Sequence, residues 1–286
     1  MKIVKFLGGL GNQMFQYAFY LALTKKGHKV KADLTDFEQY ELHNGFELED
    51  IFSFKLQRTT NFDRNLYLTH NRKWIWRKLR RIMGTKNAYW EENPKFQFNP
   101  HIFEEKRSKY YWGYWQHEDY LNLVEQELKE HLVFPPFVDE KNRQQEAVII
   151  NHPNTVAVHV RHGDYIGHPN FGGICTEDYY RQGITYMMKQ TEDPLFVFFS
   201  NDINWCRQHF GDINAHFVDW NMGKDSFRDM QLMSLCKHFI IANSSFSWWG
   251  AWLSNHPQKI IVSPKRWKNT PESEVLGLIS PTFITF

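Results

Sequence analysis

The apolar and polar positions of the chain fall into three stretches. At the start, Ile3 to Phe6 reads as a short strand, Gly8-Gly9-Leu10-Gly11 as a glycine loop, residues 12–26 as a helix and residues 28–32 as a second strand. Within that helix Met14, Tyr17, Ala18, Leu21 and Ala22 recur at three- and four-residue spacing and mark one buried face. The result is a βαβ opening of the kind shared by nucleotide-sugar enzymes and dehydrogenases. From Asp36 to about His131 no period is sustained, and short aromatic runs are broken by Asn93-Pro94 and Asn99-Pro100. This part reads as irregular and insertion-rich, a place where acceptor specificity would reside.

A turn at Pro135-Pro136 and a polar helical run from Asp139 to Glu146 place a boundary within residues 134–153, giving expected domains 1–150 and 151–286. Beyond it, short apolar runs at 155–160, 195–199, 238–242 and 259–262 alternate with helical stretches at 176–190, 202–209, 225–236 and 246–254. Strands alternating with helices imply a parallel sheet covered on both faces, with ligands bound at the carboxyl ends of its strands.

At 286 residues and 42% hydrophobic, the chain can bury one large core or two modest ones. Its net charge of +2 excludes a dedicated nucleic-acid binder, which needs many clustered cations. Cys175, Cys206 and Cys236 form no CxxC and suggest neither a disulfide framework nor a zinc site, which fits a reducing, cytoplasmic setting. The N-terminus has no secretory pattern, and no apolar run is long enough to cross a membrane. Aromatics reach 17%, and such rings either fill a core or stack on sugar faces. One stretch, residues 72–81, carries Arg72, Lys73, Arg77, Lys78, Arg80 and Arg81 with Trp74 and Trp76 and no acid. It reads either as a solvated helix pinned to the core by Trp74, Trp76 and Leu79, or as a peripheral contact with an anionic membrane or acceptor carrier.

Three constellations carry chemistry. His159-Val160-Arg161-His162-Gly163-Asp164-Tyr165 sits where the strand Val156-Ala157-Val158 ends, so His159 and Arg161 share a face at the ligand-binding end of the sheet. Arginine suits a diphosphate because its planar fork donates two parallel hydrogen bonds and stays charged; alternatively Arg161 pairs with Asp164 to hold the loop. In Ala242-Asn243-Ser244-Ser245-Phe246, after the strand Phe239-Ile240-Ile241, Ser244 or Ser245 caps the next helix and turns its N-terminus toward phosphate oxygens. In the glycine loop, Gly9 and Gly11 let backbone approach a ligand, and Asn12 is placed to hydrogen-bond a sugar hydroxyl or the reacting diphosphate. As a dinucleotide fingerprint the loop fails, because Met14 occupies the third glycine position, although Asp33 lies where a ribose-binding acid would stand. The histidines between His152 and His168 match no metal-ligand spacing, and no Asp-x-Asp element stands out, so no metal is expected.

The blocks Gly8-Gly9-Leu10-Gly11-Asn12-Gln13-Met14-Phe15-Gln16-Tyr17, His159 to Tyr165, and Asp229 through Asn243-Ser244-Ser245-Phe246-Ser247-Trp248-Trp249-Gly250-Ala251-Trp252 resemble, in order and spacing, the signature blocks of the alpha-1,2-fucosyltransferases, glycosyltransferase family 11. The resemblance implies an α/β, GT-B-like architecture of two Rossmann-like domains with parallel sheets and a cleft between them. It implies a GDP-fucose donor held mainly by the C-terminal half, inversion at the fucose anomeric carbon, no metal or other cofactor, and transfer to the 2-hydroxyl of a galactoside in a free oligosaccharide or lipid-linked glycan. By the same likeness His159 and Asp229 read the GDP moiety, with Asp229 accepting from guanine, while Arg161, Ser244, Ser245 and the amide of Phe246 hold the phosphates. Where the family often has a second adjacent arginine, this chain has His162.

Without a metal, departure of GDP needs a fixed cation where negative charge grows, and Arg161 is the first candidate. Asp164 is the best-placed carboxylate to accept the acceptor proton, with Glu177 and Asp178 behind it. The alternatives are a transferase of another nucleotide sugar, an NAD-dependent dehydrogenase and a noncatalytic glycan-binding protein.

Overall fold

The apolar run Lys2–Lys5 forms β1, buried along its whole length, and the chain turns through Leu7–Gly9 into α1 (Leu10–Lys25). The computed structural model describes residues 1–38, 44–270 and 277–286, without the side chains of Glu38 and Asp164. Helix α1 begins two residues earlier than its periodicity predicts, because Gly9, extended at φ −74° and ψ 177°, serves as N-cap and Gly11 already lies in the first turn. Met14, Tyr17, Ala18 and Ala22 are buried as expected, whereas Leu21 is half-buried.

After β2 (Val30–Asp33), the stretch that reads as irregular consists of short elements. These are α2 (Leu48–Ile51), α3 (Asn61–Tyr67), α4 (Trp74–Ile82), β3 (Tyr89–Glu91), β4 (Lys109–Trp112), α5 (Glu118–Asn122) and α6 (Glu125–His131). Strands β3 and β4 have three and four residues, too few to display an alternation. All pairings are parallel, in the order β2-β1-β4-β3. Much of the aromatic content is core here: Phe19 stacks on Trp115 with centroids 4.0 Å apart, and Tyr111 and Tyr120 meet both rings edge-on.

The later elements follow the strand–helix alternation: α7 (Glu140–Asn151), β5 (Thr155–Val160), α8 (Glu177–Gln190), β6 (Leu195–Ser200), α9 (Ile203–Phe210), β7 (Ala215–Val218), α10 (Phe227–Leu235), β8 (His238–Ile240), α11 (Ser245–Leu253), β9 (Ile261–Ser263) and β10 (Ile284–Thr285). The sheet is parallel, in the order β10-β9-β8-β5-β6-β7. Val156, Val158, Phe196, Phe198 and Ile240 form its buried core with Tyr180 and Met187 of α8; each such side chain contributes about 1.5–3 kcal/mol by leaving water. The edge strands β7 and β10 escape the sequence pattern because the first is largely half-exposed and the second has two residues.

The chain divides into two compact units, one spanning Met1–Pro135 and joined by Gly277 and Leu278, the other starting at Pro136. Helix α7, which the division at residue 150 assigns to the first half, packs on α10 in the second unit. Each sheet has a point where strand order reverses. In the second unit the chain runs outward from β5 to β6 and β7, then returns to place β8 on the other side of β5. In the first unit, β2 and β4 flank β1 in the same way. Loops leaving such adjacent strands diverge and open a crevice at their carboxyl ends.

Candidate functional site

At the reversal point of the second unit, His159 occupies the penultimate position of β5, and Tyr180 holds it by donating to its carbonyl oxygen at 3.1 Å. Its ring is buried, and its Nδ1 has no hydrogen-bond partner among the described residues. Burial pulls the imidazole down to about 3, and the neighbouring Arg161 charge adds to the effect, so the ring is neutral. Arg161 follows, half-buried, with its guanidinium 5.6 Å from the centroid of the Tyr165 ring. His162 turns away: its Nδ1 lies 2.9 Å from Asp202, its amide donates to Asn201, and its ring stacks on Trp205 at 4.6 Å. At the position of the family's second arginine, this histidine braces the start of α9, which Asp202 caps. Asp164 lies in the turn Gly163–Tyr165, and its side chain is outside what the structure describes.

The adjacent strand β8 leads into Asn243, Ser244 and α11. Ser244 is the N-cap, its hydroxyl accepting from the Phe246 amide at 3.3 Å, which decides between the two serines expected to cap. Ser245 and Phe246, in the first turn, are half-buried. The Phe246 ring sits 5.7 Å from that of His159, so the β5 end and the α11 N-terminus meet. The Asn243 side chain is committed to the fold: it donates to the carbonyls of Phe171 and Trp267 and accepts from Cys175, tying three loops together.

Asp229 lies in the first turn of α10. The residue keeps some surface, yet its carboxyl sits deep among neighbouring atoms. Burial pushes it up to about 7, opposed by a 2.8 Å hydrogen bond from Asn221. Asn221 is in turn fixed by Asn142, which also accepts from Trp220 and donates to Asp139, the N-cap of α7. This amide chain escapes sequence reading because its central pair, Asn142 and Asn221, lies 79 residues apart in sequence.

In the first unit, two buried glutamines of α1 clamp the glycine turn. Gln13 donates to the carbonyls of Gly8 and Gly45 and accepts from the Glu47 amide; Gln16 bonds both backbone groups of Leu7 and the Gly113 carbonyl. Asn12 accepts from Gln116 at 2.6 Å. Gly8 is left-handed at φ +79°, and a Cβ there would stand 2.6 Å from the Asn12 amide nitrogen. Where β1 and β4 diverge lies a cavity of about 470 Å³ lined by Leu7, Gly8, Thr35, Asp36, Phe37, Trp112 and Tyr114. The buried Glu92 shapes its aromatic wall by accepting from the amides of Tyr114, Trp115 and Phe96, although burial raises its carboxyl above the usual range. Both Trp115 and Phe96 are left-handed, at φ 56° and 63°.

Asp33 and Glu177 serve the fold. Asp33 is fully buried, accepts from Thr35 and Tyr110 and lies 3.7 Å from Lys5. Its full burial leaves it no surface for a ribose, which removes the feature that favoured a dehydrogenase. Glu177 pairs with Arg181 at 2.7 Å in the first turns of α8, and Asp178 is exposed. Among the described residues no three His, Cys, Asp or Glu side chains cluster so as to hold a metal ion. The three cysteines are free thiols, and no described helix is long and apolar enough to cross a membrane.

This arrangement of parallel sheets, each with a point where strand order reverses, is the fold of GT-B glycosyltransferases. The chain is similar to the NodZ alpha-1,6-fucosyltransferase of Bradyrhizobium, solved after soaking with GDP-fucose, with a TM-score of 0.53 at 14% identity over 91% of this chain and 94% of that one. The chain belongs to glycosyl transferase family 11, whose sequence pattern matches residues 1–275. It is 33% identical to an alpha-1,2-colitosyltransferase of Escherichia coli over 93% of this chain and 91% of that one. It is 29% identical to the O-antigen biosynthesis glycosyltransferase WbnK of the same species over 91% of this chain and 92% of the relative.

Proposed function

We propose that the protein is an inverting, metal-independent glycosyltransferase that moves L-fucose from GDP-fucose to the 2-hydroxyl of a β-galactoside. The observation that supports this reading is the meeting of His159 with Phe246 at the β5/β8 reversal point, which brings the end of the strand that leads into Arg161 to a serine-capped helix N-terminus. Arg161 binds the diphosphate and takes up the charge that grows on GDP as the glycosidic bond breaks. Ser244, Ser245 and the Phe246 amide supply further donors; the 3.3 Å bond from that amide to Ser244 is long enough to be exchanged for a phosphate oxygen. Asp229 accepts from guanine and His159 packs as a neutral ring against the nucleoside. Asn243 acts through position, since its side chain holds the loops around the phosphates.

The acceptor side of the reading rests on the first unit. Trp112, Tyr114 and Phe37 in its cavity offer faces on which a pyranose stacks. Gly9, the half-buried N-cap of α1, permits close backbone approach, whereas Gly11 is buried in the first turn of the helix; Asn12, steadied by Gln116, engages a sugar hydroxyl. Asp164 is the general base, and the free thiols fit a cytoplasmic setting.

A second reading is favoured by one relative: the alpha-1,2-colitosyltransferase suggests a colitose donor. Colitose is fucose without its 3-hydroxyl, and a site built to hydrogen-bond that hydroxyl discriminates strongly against its absence. Thermal melts with GDP, UDP and NAD test the donor side. GDP alone should raise the midpoint; stabilisation by NAD instead, or by none of the three, would contradict the proposal.

A further inference from the structure

Helix α4 is held from one side by an unusual anchor. Arg80 is buried and donates to the carbonyls of Asn65, Leu68 and Asn71 at 2.7–2.8 Å, while Leu79 packs on the cluster of Ile3, Leu66, Tyr67, Ala88 and Tyr110. Trp76 meets Phe62 edge-on at 5.4 Å. The anchor expected at Trp74 is absent: that side chain is 71% exposed, and Ile75, Ile82 and Met83 are exposed with it. At about 100° per residue, Trp74, Lys78 and Arg81 fall within about 60° of one another, with Ile75 and Ile82 beside them. Arg72, Lys73 and Arg77 are exposed around the same helix, and among the described residues none of these five cations (Arg72, Lys73, Arg77, Lys78, Arg81) forms an ion pair.

We infer that this outward face of α4 docks the protein on an anionic lipid surface, with the cations among the headgroup phosphates and Trp74, Ile75 and Ile82 at the acyl boundary. A purely electrostatic patch would not expose tryptophan and isoleucine between its cations, and an apolar protein interface would not carry five like charges. Tryptophan is the side chain best suited to the headgroup layer, being amphipathic and rigid. The anchor explains how so apolar a face is kept outward: Arg80 fixes the rotation of the helix through three carbonyls. The helix itself lies at the Met1 end of β1, since Leu79 and Met1 pack on the same cluster.

Flotation of the whole protein with vesicles of phosphatidylcholine, alone or with one-third phosphatidylglycerol, tests this. Binding should require the anionic lipid, weaken at high salt, and fall about fivefold for each of Lys78→Gln and Arg81→Gln, the equivalent of about 1 kcal/mol per cation. Trp74→Gln should weaken it as well, with circular dichroism and GDP binding unchanged. Failure of the wild type to float with anionic vesicles would overturn the inference. So would variants that float like the wild type, or a Trp74→Gln protein that is unimpaired, which would leave only a patch for soluble polyanions.

Discussion

The rings of His159 and Phe246 stand 5.7 Å apart, one at the end of β5 and the other in the first turn of α11. Burial and the neighbouring Arg161 charge keep the imidazole at this contact uncharged, and this has a consequence for acid stability. The unfolded chain binds that proton near 6.5 and the folded chain near 3, so between these values the unfolded state holds more protons. The stabilisation is complete above pH 6.5 and is lost as pH falls toward 3. Urea melts at pH 8 and pH 5 should show the wild type losing more stability on acidification than His159→Gln.

Removing the Arg161 charge takes away the group proposed to stabilise departing GDP. Arg161→Ala should lower turnover about 100-fold or more with the fold intact, as single donors at developing charge commonly do. Arg161→Lys, retaining charge without the planar fork, should recover only part. Steady-state kinetics with near-normal turnover would take Arg161 out of this role.

The proposed contact of Asp229 with guanine predicts a pH dependence of GDP binding with a defined sign. Its carboxyl is raised from 3.8 to about 7, so the folded chain binds that proton more tightly than the unfolded one, and this stabilisation disappears as pH rises through 7. Acceptance from guanine needs the ionised form. Affinity should therefore climb as pH rises, by up to about tenfold per unit below pH 7, and level off above it. Calorimetry of Asp229→Asn should give weaker binding without this slope.

At Gly8 a side chain is excluded twice, by φ +79° and by the 2.6 Å approach to Asn12. Gly8→Ala should cost about 1–2 kcal/mol in denaturant melts from the left-handed backbone alone. Its activity loss should exceed that of Gly27→Ala, also left-handed at φ +83° but with open space around it.

Glu92 accepts from three backbone amides that set the Tyr114–Trp115 turn. Glu92→Ala leaves those donors buried and unpaired, at about 1–3 kcal/mol. It should also raise the acceptor KM while leaving GDP affinity unchanged. A donor-side defect would place its influence elsewhere.

The second unit was legible because its central strands are wholly buried apolar runs separated by helices of eight or more residues. The His159–Arg161 and Ser244–Phe246 blocks stand out in the sequence for the same reason, each sitting where such a strand ends. The first unit hid β3 and β4, whose aromatic residues Tyr89, Trp90, Tyr110 and Tyr111 look alike in a core or on a ligand face. Buried amides and carboxylates that act at long range left no local signal: Gln13 and Gln16 at the glycine turn, Glu92 under the cavity wall, and the Asn142–Asn221 pair behind Asp229. Trp74 misled by its chemistry, since a tryptophan is usually an anchor and here the anchor is Arg80.

The central claim is tested most directly by incubating the protein with GDP-fucose and a terminal β-galactoside in EDTA, and determining the product linkage by NMR. The account predicts a fucosyl residue joined alpha to O2 of galactose, formed without metal. No transfer under these conditions, together with no measurable binding of GDP, would contradict it.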